Sequence, residues 1–522
     1  MAACVALWSA DAVAQTAAFP DPLAPNLQTD PRQPPRFQKF TRPGLVQLGP
    51  PATFTPPASG AGDTGFDSTY SRKKAKGKAK AKSPVSAQAI TPGLPTPTPV
   101  SRYQKPATDS VSGTYAQAPG APPIELGPIR KLPPKRKAHS EPEDPYAPLG
   151  VHAGAFTLFP AIELIGGYDT NPAHAPGGGG ASLYTVAPEL QMRSNWSRHE
   201  LKAELRGSYT GYSPDATPTL SRPNFNGKVD GRIDVTRNTR IDLATRLLVS
   251  TDNPGSPNLP AGLAKLPVFT TFGGSGGVTH QFNRIELGIK GDVERTVYQN
   301  STLTDGSTVS NADRQYNQYT GTLRGGYEMT PGVKPYVEVR ADTRVHDLNA
   351  DISSYQRDSK GLAGTIGTTF ELTRQLTGDV GVGYTRRNYE DPRLEQIKGL
   401  IVNGSLIWTA SALTTAKLSA ASSVGESTVP GVSGQLSRDI GLQVDHSFRL
   451  WLIGTIKIGF GLDDYVGMDR EDKRYSAGVG LTYKLNRSVQ IKGEFQQNWL
   501  HSNVAGTDYT SSVFLLGIRF QR

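Results

Sequence analysis

From about residue 153 to the end of the chain, apolar and polar side chains alternate one for one through long stretches. This period constrains the fold more than any other feature. In Val489–Trp499, Val489, Ile491, Gly493, Phe495 and Trp499 fall on one side, and Gln490, Lys492, Glu494, Gln496 and Asn498 on the other. Ile285, Leu287, Ile289 and Val293 alternate with Glu286, Lys290 and Asp292. Val337, Val339 and Val345 alternate with Glu338, Arg340, Asp342 and Arg344, and Leu201, Ala203 and Leu205 with Glu200, Lys202, Glu204 and Arg206. Asp230 and Arg232 take the polar side of a further stretch. Successive side chains of a strand point to opposite faces, so the pattern predicts strands with one apolar and one ionised face. A dry core cannot hold so many charges, whereas a wet lumen can. The stretches run to roughly a dozen residues, about twice the usual soluble strand.

The links between stretches sharpen the reading. Short turns are expected near 195–198, 237–238, 283, 330–333, 373–375, 410–412, 448 and 486–487. Longer links are expected near 169–182, 213–223, 252–268, 299–313, 347–358, 390–395, 424–433, 464–473 and 501–508. Short and long alternate throughout. The pattern predicts an all-β, transmembrane, antiparallel up-and-down barrel of about 18 strands over residues 151–522, with both ends on the short-turn side. Aromatics recur near the expected strand ends and suit interfacial girdles: Tyr168, Tyr209, Tyr212, Tyr298, Tyr327, Tyr389, Trp408, Trp451, Tyr483 and Trp499. No apolar run approaches the roughly 18 residues of a membrane helix, which excludes a helical membrane protein.

The first 150 residues differ in kind. Pro concentrates there, and Gly after it. Residues 1–14 read as an export signal with a small-x-small site at Ala12-Val13-Ala14. Residues 15–150, with runs such as Thr91–Pro99, bury too little apolar surface to order the chain, and read as a disordered periplasmic segment. They also carry the charge. Residues 1–150 hold 18 Lys+Arg against 10 Asp+Glu, or +8 of the total +10, leaving 38 against 36 for the rest. Lys73, Lys74, Lys76, Lys78, Lys80 and Lys82 form a dense basic run, a candidate contact for peptidoglycan or an anionic polysaccharide. Aromatics do not interleave with these lysines and the chain is read as exported, so nucleic acid is not an expected partner.

Nothing in the remainder reads as catalytic or cofactor-binding. The one cysteine, Cys4, lies in the export signal, so neither a disulfide framework nor a thiolate metal site is expected. The Gly-rich runs Gly177–Gly180 and Gly273–Gly277 lack the strand-then-helix setting of a phosphate loop. The histidines show no metal spacing. Asp463-Asp464 and Glu471-Asp472 are expected together in one acidic outer link. No nucleophile–base pair stands out, so an outer-membrane barrel enzyme is the remote alternative.

The chain ends Tyr509–Arg522, with Gly517 followed three residues on by Phe520. This resembles the C-terminal strand signal read by the barrel-assembly machinery. The stretch Glu163–Pro172, with Tyr168-Asp169-Thr170-Asn171, resembles the opening of the "β-barrel porin 2" family of Gram-negative outer-membrane barrels. The resemblance spans about 150–522. It implies an outer-membrane barrel in contact with lipid and lipopolysaccharide, and supplies neither a substrate nor catalytic residues. Passive diffusion of small hydrophilic solutes is the expected function, with surface-polysaccharide export as the alternative. The expected lumen lining is Glu200, Lys202, Glu204, Arg206, Asp230, Arg232, Glu286, Lys290, Asp292, Glu338, Arg340, Asp342, Lys492 and Glu494. On this reading Lys492→Glu leaves folding intact and turns selectivity toward cations.

Overall fold

The computed structural model describes residues 145–522, apart from 214–217, 255, 261 and 374. The expected export signal, the basic run Lys73–Lys82 and nearly all of the Pro-rich segment lie outside the described residues.

Eighteen long strands follow one another: β1 Phe156–Asp169, β2 Ala181–Ser194, β3 Glu200–Ser213, β4 Arg222–Asp234, β5 Thr239–Thr251, β6 Val268–Phe282, β7 Ile285–Tyr298, β8 Tyr316–Tyr327 and β9 Val333–His346. The circuit continues through β10 Ser359–Thr373, β11 Leu376–Tyr389, β12 Ile397–Ser411, β13 Thr414–Glu426, β14 Gly434–Arg449, β15 Leu452–Val466, β16 Glu471–Lys484, β17 Val489–Ser502 and β18 Tyr509–Gln521. Each pairs antiparallel with the next. β18 returns to β1, from Ala161↔Gln521 to Asp169↔Val513, and closes the barrel. Where β18 ends, the short segment Val151–Ala153 folds back on Phe156–Leu158 and covers the remaining edge of β1. Closure matters because an unpaired backbone edge is not tolerated in lipid.

The faces sort as the alternation requires. On β1, Ile162, Leu164 and Tyr168 are exposed, while Glu163, Ile165 and Asp169 are buried; on β18, Phe514, Leu516, Ile518 and Phe520 are exposed, while Ser511, Leu515 and Arg519 are buried. The apolar side chains therefore coat the outside. The inside is not an oily core: Arg344, Arg474, Lys484, Gln318, Gln490 and Glu163 are among the largest fully buried side chains. Gly517 falls on the lumen side of β18, and Phe520 on the lipid side, 44% exposed.

Two expectations are corrected. Tyr168, Tyr209, Tyr327, Trp408, Trp451, Tyr483 and Trp499 do lie exposed on the outside, but Tyr212 and Tyr298 are buried, and Tyr389 packs with the interior residues Ile397 and Leu436. Their parity, not their closeness to a strand end, decides: Tyr212 shares its face with Arg206, and Tyr298 with Glu294. Nor do Asp463, Asp464, Glu471 and Asp472 form an outer link. β15 and β16 continue through them, with Asp463↔Asp472 and Asp464↔Glu471 as register partners. The strands persist there because ion pairs satisfy the charges: Asp463 with Arg474, Asp472 with Arg470, Asp464 with Arg438 and Glu471 with Lys473.

Phe495 sits mid-strand on the lipid face, its ring centroid 4.8 Å from that of Phe514. Phe495→Arg is expected to cost on the order of 2–4 kcal/mol, the usual toll of a cation near the bilayer midplane. The midpoint of urea unfolding in lipid measures it. An unshifted midpoint would place Phe495 on the lumen side and slip the register by one residue.

Candidate functional site

The lumen wall is built from charges that pair across glycines. Neighbouring strands lie about 4.8 Å apart, so side chains on strands n and n+2 start nearly 10 Å apart. A Lys or Arg closes that distance only if the strand between presents nothing bulky. Gly461 on β15 is the register partner of both Asp439 on β14 and Arg474 on β16, and Arg474 bridges to Asp439 at 2.8 Å. Gly361 stands in the same way between the paired Asp342 and Arg387. Gly273, within the Gly-rich run, faces Arg246 and Glu294, which meet at 3.2 Å.

Three more pairs use the device with a diagonal offset. Lys334 reaches Glu286 at 2.7 Å past Gly326. Lys457 reaches Glu494 at 3.3 Å past Gly478 and Gly480. Lys492 reaches Glu163 at 3.0 Å past Gly517, where an added Cβ would stand 3.6 Å from Glu163 Oε1. The Gly-rich run is thus neither a phosphate loop nor a loop tip. Its signature in the sequence is a glycine at lumen parity between strands of opposite charge.

The expected lining residues share the face opposite the exposed apolar side chains. On β3–β5 they form a chain of contacts: Lys202–Glu200 at 3.0 Å, Glu200–Arg232 at 3.2 Å, Arg232–Asp234 at 3.3 Å, Lys228–Asp230 at 3.2 Å and Arg240–Asp242 at 3.0 Å. Glu204 and Glu189 flank Arg206 at 3.8 and 3.5 Å. Lys290 meets Asp292 at 2.8 Å, and Glu338 meets Arg324 at 3.6 Å. Arg340 makes no ion pair among the described residues.

The wall is not uniform. Asp230 and Arg232 keep 38% of their side-chain surface, while Arg474, Asp463 and Glu163 keep 1% or less. The hydrated wall is therefore densest on β3–β5 and extends to Lys290 of β7 and Glu338 of β9, which keep 33% and 29%, while the wall from β14 round to β1 is packed. One sequence-level expectation falls with this. Lys492 neutralises a buried Glu163 that Arg519 approaches at 3.7 Å, so Lys492→Glu would oppose two carboxylates in a dry place rather than leave folding intact.

Alternation along single strands says nothing of what crosses the mouth. The link 252–267 leaves between β5 and β6 and reaches the β13–β14 link, eight strands away around the ring. There Asn258 Oδ1 accepts from Thr428 N at 3.0 Å and from Ser427 Oγ at 3.2 Å. Leu259 and Leu266 of this link, with Leu220 of the preceding one, pack on Ile165, Leu183 and Leu515 of the inner wall.

Its flank is tied to the link after β7: Ala264 N donates to Thr302 O at 2.8 Å, Thr304 N donates to Gly262 O at 2.8 Å, and Arg314 pairs with Asp252 at 2.8 Å. Arg314 also lies 3.9 Å over the Tyr298 ring. Arg357 donates to the carbonyls of Val432 and Val429 at 2.9 and 3.2 Å, joining the link after β9 to the cap. In the first outer link, His174 stacks on Tyr509 at 4.7 Å, and burial holds its imidazole down at about 3, neutral throughout the physiological range. No group of three His, Cys, Asp or Glu among the described residues is placed to hold a metal ion.

The family model described as "Putative beta-barrel porin 2" matches residues 144–522. No curated protein is significantly similar to the chain. Among solved structures, the outer membrane protein OpdK from Pseudomonas aeruginosa is 10% identical, with 70% of this chain and 99% of that chain covered and a TM-score of 0.34. A BenF-like porin from Pseudomonas fluorescens Pf-5 is 10% identical over 71% and 99%, with a TM-score of 0.37. OccAB4 from Acinetobacter baumannii is 10% identical over 70% and 98%, with a TM-score of 0.36.

The glycine-bridged pairs generate a direct contrast. A Cβ at Gly461 would lie 2.5 Å from Arg474 Cζ and 2.7 Å from Asp439 Oδ1, whereas nothing lies within 4 Å of one at Gly493 on the outer face. Gly461→Leu is expected to part the buried pair, costing about 3–5 kcal/mol, and Gly493→Leu to cost under about 1 kcal/mol. Comparing the two urea midpoints decides it; equal midpoints would remove the role given to the glycine.

Proposed function

The chain belongs to the β-barrel porin 2 family of the outer membrane, and we propose that it is a channel for passive diffusion of small hydrophilic solutes, without enzymatic activity. The observation that carries this reading is the hydrated β3–β5 wall, where Glu200, Lys202, Glu204, Lys228, Asp230, Arg232, Asp234, Arg240 and Asp242 face one another in alternating sign. Exposed pairs of this kind hold together by about 0–1 kcal/mol, so their charged groups exchange partners readily. A polar solute moving along the wall trades water for these groups one contact at a time. Both signs are present in near balance, so neither cations nor anions are strongly held. The cap over the mouth sets the size limit, and the packed wall on the far side confines passage to one sector.

The short turns face the periplasm in this reading, and the basic segment lies there, where Lys73–Lys82 meets peptidoglycan or an anionic polysaccharide by electrostatics. Lipopolysaccharide surrounds the outer rim, and Gly517 and Phe520 belong to the strand that the assembly machinery reads.

Purified protein in a planar bilayer is expected to give discrete conductance steps with weak ion selectivity. The double substitution Lys228→Glu, Arg232→Glu should move the reversal potential toward cations without loss of folded protein. A silent bilayer at every voltage would sink the channel reading. Orientation is checked separately on intact cells: an epitope inserted at Pro257 should be reached by antibody and one at Asn486 should not, and the opposite pattern would invert the topology.

A further inference from the structure

Among the described residues, the barrel wall has one long seam without a backbone ladder. β12 and β13 pair only between Gly404↔Ala420 and Ser411↔Thr414, at the short-turn end. Above that, Ile397–Val402 keep their partners on β11, and Ala421–Glu426 keep theirs on β14, but the two segments have none in each other. The outer half of the β13–β14 hairpin has moved inward. Leu436, 2% exposed, packs with Ile397 and Ile401, which lie on the lumen side of β12, and with Val424 and Tyr389. Gly399 permits the overlap, since a Cβ there would lie 2.5 Å from Leu436 Cδ2. From inside, Arg344 of β9 pulls on the hairpin by pairing with Glu426 and donating to Val424 O at 3.0 Å.

What closes the seam is therefore side-chain chemistry. Ser422 Oγ accepts from Val402 N at 2.9 Å and donates to Val402 O at 3.0 Å, and Arg438 Nε donates to Leu400 O at 2.9 Å. Leu400 beside it is 61% exposed toward lipid. A ladder edge in lipid must be satisfied, and here a few side chains do that work where a full ladder serves elsewhere. The seam can part without breaking a strand pairing.

We propose that this seam is a lateral portal between the lumen and the outer leaflet, and that its occupant is a single-chain amphiphile with an anionic head. Two adjacent features of the seam fit that chemistry. Ile397, Ile401, Val424 and Leu436 pack on one another as a buried apolar strip that parting of the seam would bare, apart from the cluster of Ile165, Leu183 and Leu515 on a separate stretch of wall. Beside it stand Arg340, Arg344 and Arg387: Asp342 pairs with Arg387 and Glu426 with Arg344, while Arg340, with Asp342 and Glu338 near it, closes no ion pair among the described residues and leaves its buried Nε without a hydrogen-bond partner. Arg340 therefore keeps a donor to spare. A carboxylate or sulfate head takes the place beside Arg340, while its chain lies along the strip and slides between β12 and the hairpin into lipid. This route is separate from the hydrophilic path along β3–β5.

The test locks the seam. Val402→Cys and Ser422→Cys, in a Cys4→Ser background, place two thiols across it; Ile458→Cys and Ala477→Cys, register partners on intact strands, are the control. Protein in vesicles is exposed to a sixteen-carbon carboxylate carrying a diazirine, irradiated and mapped by mass spectrometry. Adducts are expected at Ile401 and Leu436 in the unlocked protein. They should fall at least tenfold when the seam disulfide is formed, return on reduction, and be unaffected by the control disulfide. Arg340→Gln should reduce them several-fold. Adducts confined to lipid-facing residues, or insensitive to the seam disulfide, would overturn the portal. Conductance measured on the same samples should stay unchanged by the lock; its absence throughout would count against the hydrophilic channel instead, leaving the adduct result to stand or fall by itself.

Discussion

Every strand that crosses a bilayer must find partners for its backbone N–H and C=O groups, because hydrocarbon offers none. An up-and-down sheet meets that demand only by closing, and the pairing of β18 with β1 does so. Once closed, the sheet has a wet side and an oily side, and the period of two assigns each residue to one of them. The apolar exterior, the charged interior and the tolerance for Gly within strands all descend from this.

The interior then raises its own difficulty. Ionised groups are costly away from water, and a lumen crowded by its own side chains excludes much of it. The chain answers by pairing charges two strands apart over a glycine, as in Asp439–Gly461–Arg474 and Asp342–Gly361–Arg387. Long cationic side chains reach over the gap, and the glycine supplies the room. A buried pair of this kind contributes little net stability against an apolar equivalent, but removing one partner is expensive. An apolar filling would stabilise as well and would obstruct the lumen. Paired charges on β14–β18 are packed into the wall, while their counterparts on β3–β5 stay hydrated.

The strand count, the alternation of short and long links and the two faces of each strand were legible in the sequence, because all three are local consequences of period two. The lumen side of Glu200, Asp230, Lys290 and Glu338 could be read for the same reason. The partners could not. Arg324 with Asp379, Arg246 with Glu294 and Lys492 with Glu163 depend on the register between strands, which no single strand encodes. Tyr212 and Tyr298 lie inside because parity, and not nearness to a strand end, decides the face. The acidic pairs at Asp463 and Asp472 read as link in the sequence, whereas Arg474 and Arg470, whose pairing depends on register, carry the strands through them. The cap is invisible for a different reason: Asn258 meets Thr428 across 170 residues of chain, and no pattern in either link announces the other.

The β12–β13 seam shows how far closure can be relaxed. Four side-chain hydrogen bonds, among them Ser422 N donating to Asn403 Oδ1 at 3.0 Å, and the packing of Leu436 replace the ladder over the outer half of two strands. That substitution is possible only because β13 and β14 stay paired with each other and bend as a unit, so neither strand loses both neighbours. The bend costs the barrel a continuous wall, and places an apolar strip beside Arg344. A wall that must be sealed against lipid everywhere else is here held by contacts that side-chain rotation can release. The demand that closes the barrel thus also locates the one place where it opens with the least loss.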